Sequence, residues 1–116
     1  MRWIKSPPTF VVVIEVYAFR AKLWQYHGPG AWYFISVPPD VADDIRARYG
    51  AHASGFGSIK VEATVRETRW TTSLFPDKTR RTYLLPIKKA VRVAENLDVG
   101  DVTTVRLRLM GDLGRG

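Results

Sequence analysis

The chain has no cysteine, which removes disulfides, thiolate nucleophiles, cysteine-ligated zinc and iron–sulfur clusters together. Histidine is nearly as scarce. His27 and His52 both sit in glycine-rich loops with no second histidine at ligand spacing, so no metal and no cofactor is expected. No apolar run approaches the ~20 residues of a membrane span. Residues 10–19 come nearest, but Glu15 interrupts them and no small-x-small cleavage site follows. These features predict a cytoplasmic protein with no membrane partner. Acid is missing from one stretch in particular: residues 78–94 carry six basic side chains and not one carboxylate.

What is present suits a small folded domain. With 116 residues, 46% hydrophobic and 12% aromatic, the chain can bury a real core. A single domain is expected over residues 1–110, followed by a flexible tail over 111–116 with three glycines in six residues. Strand patterns dominate. Ile59, Val61, Ala63 and Val65 alternate with Lys60, Glu62, Thr64 and Arg66, as in a strand with one wet face. Val105, Leu107 and Leu109 alternate with Arg106 and Arg108 in the same way. Near the start, Phe10, Val12, Ile14, Val16 and Ala18 keep one phase while Phe19, Ala21 and Leu23 keep the other. That change of phase predicts a bulge or bend near Ala18-Phe19. Further strands are expected at residues 32–37, 70–75 and 82–85, with turns at Glu67-Thr68 and Pro76-Asp77-Lys78.

Two short helices fit between the strands. Val41, Ile45 and Tyr49 recur at four-residue steps, with acids early, arginines late and Gly50 as the stop. Ile87, Val91, Ala94 and Leu97 form the second stripe, ending before Gly100. A strand–Pro–helix–Gly–strand unit therefore occurs twice, once through Val37-Pro38 and once through Leu85-Pro86. The fold class expected is mainly β with two short helices, an internally duplicated pseudobarrel capped by helices. Such a duplication makes a monomer sufficient, although oligomeric state is not fixed by these residues.

The run Ala21-Lys22-Leu23-Trp24-Gln25-Tyr26-His27-Gly28-Pro29-Gly30-Ala31-Trp32 resembles the opening motif of the bacterial domain of unknown function 1905. Trp70-Thr71-Thr72-Ser73-Leu74-Phe75-Pro76-Asp77-Lys78, followed by Thr82-Tyr83-Leu84-Leu85-Pro86-Ile87-Lys88, resembles its later motifs. The matches cover roughly residues 19 to 109. The resemblance implies a double-split β-barrel capped by helices and no particular activity. Within it, Leu85-Pro86-Ile87-Lys88-Lys89-Ala90-Val91-Arg92 with Val99-Gly100-Asp101-Val102 is similar to the strand–Pro–helix–Gly-Asp unit of AbrB- and MazE-type DNA-binding proteins. The first half departs from that pattern, with acids after Val37-Pro38-Pro39 where the second half has lysines.

The candidate binding residues follow from charge and aromaticity. Lys78, Arg80, Arg81, Lys88, Lys89 and Arg92 supply almost all of the net charge of +7, which suits a phosphate, a carboxylate or a nucleic-acid backbone. The plainer reading is a solvated basic surface. Lys88 and Lys89 open the second helix, where a positive dipole end makes adjacent cations unfavourable without an anion. Trp24, Trp32 and Trp70, with Thr72 and Ser73 nearby and Lys22 on the strand face of Trp24, are candidates to line a pocket or to stack bases. Otherwise they fill and cover the barrel. No catalytic set emerges. Asp43 and Asp44 are adjacent on a helix and point apart, Ser73 lacks a nucleophile-elbow frame, and Gly55-Phe56-Gly57-Ser58 is too short for a phosphate loop. The sequence therefore favours a non-enzymatic module that binds nucleic acid or another anionic ligand through residues 78–92. The alternatives are a small-molecule-binding barrel lined by Trp24, Trp32 and Trp70, with or without catalysis, and a protein-interaction accessory domain.

Overall fold

The computed structural model describes residues 16–53 and 55–110. The apolar row at Phe10, Val12 and Ile14 and the glycine-rich tail at 111–116 lie outside the described residues. In chain order the elements are β1 (Val16–Gln25), β2 (Tyr33–Ser36), α1 (Pro39–Tyr49), β3 (Ile59–Val65), β4 (Thr68–Asp77), β5 (Thr82–Pro86), α2 (Lys89–Ala94) and β6 (Val102–Leu109). Short 3-10 turns at Gly50–His52 and Gly55–Gly57 join α1 to β3. The six strands close into an antiparallel barrel in the order β1-β2-β5-β4-β3-β6. No helix among the described residues is long and apolar enough to cross a membrane.

Two strands hold the barrel together by serving two partners each. The first seven residues of β1 pair with β6 and its last three with β2. The first seven residues of β4 pair with β3 and its last three with β5. Exchanging β1-β2-β3 for β4-β5-β6 therefore maps the whole pairing pattern onto itself. Ile35 lies opposite Leu85 and Ala63 opposite Leu107 where the two halves meet. The hydrogen bonds repeat as well: Val37 N–H donates to the Tyr83 carbonyl and Ile87 N–H to the Tyr33 carbonyl, both at 2.9 Å. Because the meeting strands are antiparallel, the exchange swaps the barrel's ends, and it places α1 and α2 at opposite ends.

The interior follows the period-two pattern. Val61, Ala63, Leu74, Leu85, Val105 and Leu107 are completely buried, and each large aliphatic removed from water contributes about 1.5–3 kcal/mol. β1 differs from the expected bulge. It runs in one unbroken register from Val16 to Lys22, with Ala18 opposite Arg106 and Phe19 opposite Val105. Tyr17, Phe19, Ala21 and Leu23 turn inward, and Val16 and Ala18 lie outside. The break comes later, where Leu23 leaves β6. There the Gly100 N–H donates to the Leu23 carbonyl and the Leu23 N–H to the Asp101 carbonyl.

Other boundaries shift for local reasons. Pro76 and Asp77 are the last paired residues of β4, so the turn falls at residues 78–81, with Arg81 at φ 59°. The β3–β4 turn is Arg66-Glu67, between the paired Val65 and Thr68. In α1 the buried stripe is Ala42, Ile45 and Tyr49, with Val41 at its edge, and Gly50 keeps helical angles into the next turn rather than stopping the chain. α2 has only six residues. Ile87 and Leu97 are buried just outside it, and Ala94 is exposed.

Each helix is tied by a carboxylate to the start of a long strand. The Tyr17 hydroxyl donates to Asp44 of α1 at 2.5 Å. At the other end the Thr68 hydroxyl donates to Glu95, just after α2, at 2.6 Å. The Glu67 N–H donates to the same Glu95 oxygen at 3.3 Å, and Arg66 donates to the Glu95 carbonyl at 2.6 Å. Glu95→Ala is expected to cost about 1–2 kcal/mol, read as a lower urea midpoint with an unchanged m-value. An unchanged midpoint would mean that packing alone holds α2 against the hairpin.

Candidate anion-binding grooves

The outer face of the β1-β2-β5-β4 side is aromatic because of how the Gly28-Pro29-Gly30 turn sets its two strands. Trp24 lies directly opposite Phe34 in the register. Their rings are 5.4 Å apart, and Trp32 stacks on Phe34 at 6.0 Å with an interplanar angle of 4°. Gly30 is required here. It has φ +87°, and a Cβ on it would come within 2.9 Å of the Trp32 indole nitrogen. The Trp24 indole N–H donates to the Ser36 hydroxyl at 2.9 Å, which fixes that ring. Trp32 remains 52% exposed, and Tyr26 and Phe75 are also exposed beside it.

Two grooves share Trp32 as a wall. The first, of about 570 Å³, opens where β5 has left β4, between Trp70, Thr71 and Thr72 on one side and Trp32 and Tyr33 on the other. Lys88, Lys89 and Arg92 form its basic rim. The Arg92 guanidinium sits 3.6 Å over the Tyr33 ring and donates to the Ile87 carbonyl at 3.2 Å. Among the described residues, neither Lys88 nor Lys89 has a carboxylate partner. The second groove, of about 500 Å³, runs between Trp24, Trp32 and Phe34 and the Phe75–Arg80 region. Lys78 lines it, and Arg80 lies 5.0 Å over the Trp24 ring while pairing with Asp77 at 2.7 Å.

The sequence's two candidate sets thus interleave. Trp32, Trp70, Thr72, Lys88, Lys89 and Arg92 meet in the first groove, and Trp24, Lys78 and Arg80 in the second. Three candidates stand apart. Arg81 lines neither groove, and its carbonyl accepts from Arg46 of α1 at 3.4 Å. Lys22 is exposed opposite Val102, and Ser73 lies opposite Lys60. The three tryptophans line these outer grooves: Trp24 and Trp32 flank the second, Trp32 and Trp70 the first, and Trp70 also packs half-buried against the core. The dipole argument at Lys88-Lys89 also weakens, since six residues of helix sum only a small dipole. Sequence reasoning missed Tyr33, Phe34, Thr71 and Phe75. Residues two apart on either side of a tight hairpin share a face, so Trp24 and Trp32 did point to Phe34.

The family described as Domain of unknown function (DUF1905) matches residues 19–107, which include every residue of both grooves. The chain belongs to this family. No curated protein matches it.

The two ends of this DUF1905 domain share geometry but differ in charge. Arg46 of α1 lies over Tyr83 at 5.7 Å as Arg92 lies over Tyr33. At the α1 end acids neutralise the cations: Asp43 pairs with Arg46 at 3.0 Å and Asp44 with Arg48 at 2.9 Å. The hydrogen bond from Tyr17 and that from Arg48 hold the Asp44 carboxyl below its ordinary value of 3.8. At Asp77 partial burial pushes upward, but the bonds from the Arg80 guanidinium and the Arg80 and Thr79 amides outweigh it and leave the group lowered. Burial raises the Tyr83 hydroxyl against the pull of Arg46.

Both carboxyls release their protons more readily folded than unfolded. Their contribution to stability is therefore present above the unfolded value near 3.8 and is lost as pH falls through the lower folded values. An Asp44→Asn/Asp77→Asn variant is expected to melt lower than wild type at pH 7 and to lose less on acidification below about pH 4. Melting curves that fall equally steeply for both proteins would show that these two groups do not drive the acid response.

Proposed function

We propose that this DUF1905 domain binds single-stranded nucleic acid across the two grooves that flank Trp32. The observation that carries this reading is the exposed Trp32 indole standing between a groove rimmed by Lys88 and Lys89 and a groove lined by Trp24, Phe34 and Arg80. Flat rings beside unneutralised cations are what an unpaired strand needs. Bases stack on aromatic faces at about 1–3 kcal/mol each, and lysines and arginines take the phosphates. A duplex hides its base faces and would leave the aromatic half of this surface without a role. The Thr71 and Thr72 hydroxyls at the first groove add donors for phosphate or sugar oxygens.

A second reading is favoured by the exposed Tyr26, Trp32 and Phe75 around one groove: an apolar segment of another protein docks there. The two differ in salt dependence. Fluorescence anisotropy with a labelled oligothymidylate of about twenty nucleotides is expected to give binding that weakens linearly in log–log against salt. Trp32→Ala is expected to weaken it roughly 5- to 150-fold without lowering the melting temperature. Lys88→Glu/Lys89→Glu is expected to abolish it at physiological salt. Full affinity in either variant, or stronger binding to a duplex of equal length, would defeat the single-strand reading.

A further inference from the structure

A second basic surface lies on the adjoining side of the barrel, on the outer face of β1, β6, β3 and β4. Alternation turns Arg20 and Lys22 of β1, Arg106 and Arg108 of β6 and Arg69 of β4 outward, and the register sets Arg20 diagonal to Arg106 and Arg69 across β3 from it. Thr64 lies opposite Arg106 on one flank and Arg69 on the other. In the next row Arg108 pairs with Glu62 at 3.3 Å. Arg20 donates to the Thr104 hydroxyl at 3.2 Å. A groove of about 450 Å³ runs through this face, lined by Arg66, Arg69, Arg106 and Arg108 and by two carboxylates, Glu62 and Glu67. Among the described residues, Arg69 and Arg106 have no carboxylate partner.

Arg69 and Arg106 flank the same threonine on one sheet face, and planar guanidinium forks match phosphate oxygens in pairs. No aromatic side chain lines this groove, so it offers charge and donors but no surface on which a base can stack. It also adjoins the first site. The outward row of β4 is Arg69, Thr71, Ser73 and Phe75. Thr71 lines the Lys88-Lys89 groove and lies opposite Glu62 of the arginine groove. From Arg69 to Phe75 the strand rises about 20 Å.

We infer that the arginine face binds the phosphodiester backbone of the strand as it leaves the aromatic grooves, an inference that rests on the single-strand reading above. Bases are held near Trp32, and phosphates alone are held at Arg69 and Arg106. The test uses the full chain, oligothymidylates of about four and about twenty nucleotides, and an Arg69→Ala/Arg106→Ala variant. Wild type is expected to bind the longer strand more tightly and with a steeper salt slope. The variant is expected to lose about 1.4 from that slope, two single-strand phosphates at about 0.7 each, and to bind the short strand as wild type does. Should the alanine variant melt early, Arg69→Gln/Arg106→Gln keeps the side-chain length and must give the same change. An unchanged slope for the longer strand, or an equal loss on the short one, overturns the inference and leaves the Trp32 site standing. Failure of wild type to bind either strand overturns the reading itself.

Discussion

The constraint on which this domain depends is that β1 and β4 must each belong to two sheets. Seven residues of each pair on one side of the barrel and three on the other. A strand that stopped at its first partner would leave two open sheets with unpaired edges. Continuing into the second partner closes the ring and gives every inward row a facing row to pack on. It also opens a split wherever a neighbour departs. The first groove lies in the split beside β4, so the feature that closes the barrel also creates its candidate site.

The pairing is symmetric under exchange of the halves, but the chemistry is not. Tyr33 and Tyr83 occupy matching places, and each lies under an arginine. Around Arg46 the helix supplies Asp43 and Asp44. Around Arg92 it supplies Lys88 and Lys89. A backbone that does not distinguish its ends therefore carries one neutralised end and one positive end. The charge difference is independent of packing, since these side chains lie at the surface while Ile35, Leu85, Ala63 and Leu107 fill the meeting point of the halves.

Period two made β3 and β6 legible, because each has one dry and one wet face. The repeated strand–Pro–helix–Gly units pointed to the duplication two residues out of register, since Val37 matches Ile87 and not Leu85. β1 misled because Val16 and Ala18 are apolar yet outward, and a hydrophobicity pattern cannot tell an outward valine from an inward one. The acid-free stretch at residues 78–94 marked the first basic surface, since its cations are adjacent in the chain. The second was invisible for the opposite reason. Arg20, Arg69 and Arg106 are far apart in sequence, and only the β1–β6–β3–β4 register brings them together. The tryptophans were legible as a group but not as to side, because alternation fixes a face only once the inward row is known.

Barrel size decides where a ligand can be. An eight-stranded barrel is only just wide enough for its own side chains or one small ligand, and this barrel has six strands. Buried side chains pack its interior, and the two candidate grooves lie on its outside. An exposed tryptophan forfeits the large stabilisation that burial would give it, and here Gly30 holds the turn that keeps Trp32 outward. Packing does not require that arrangement, since the core closes without Trp32. An indole held outside a complete core, beside lysines left without acids, is the feature on which the proposed binding role rests.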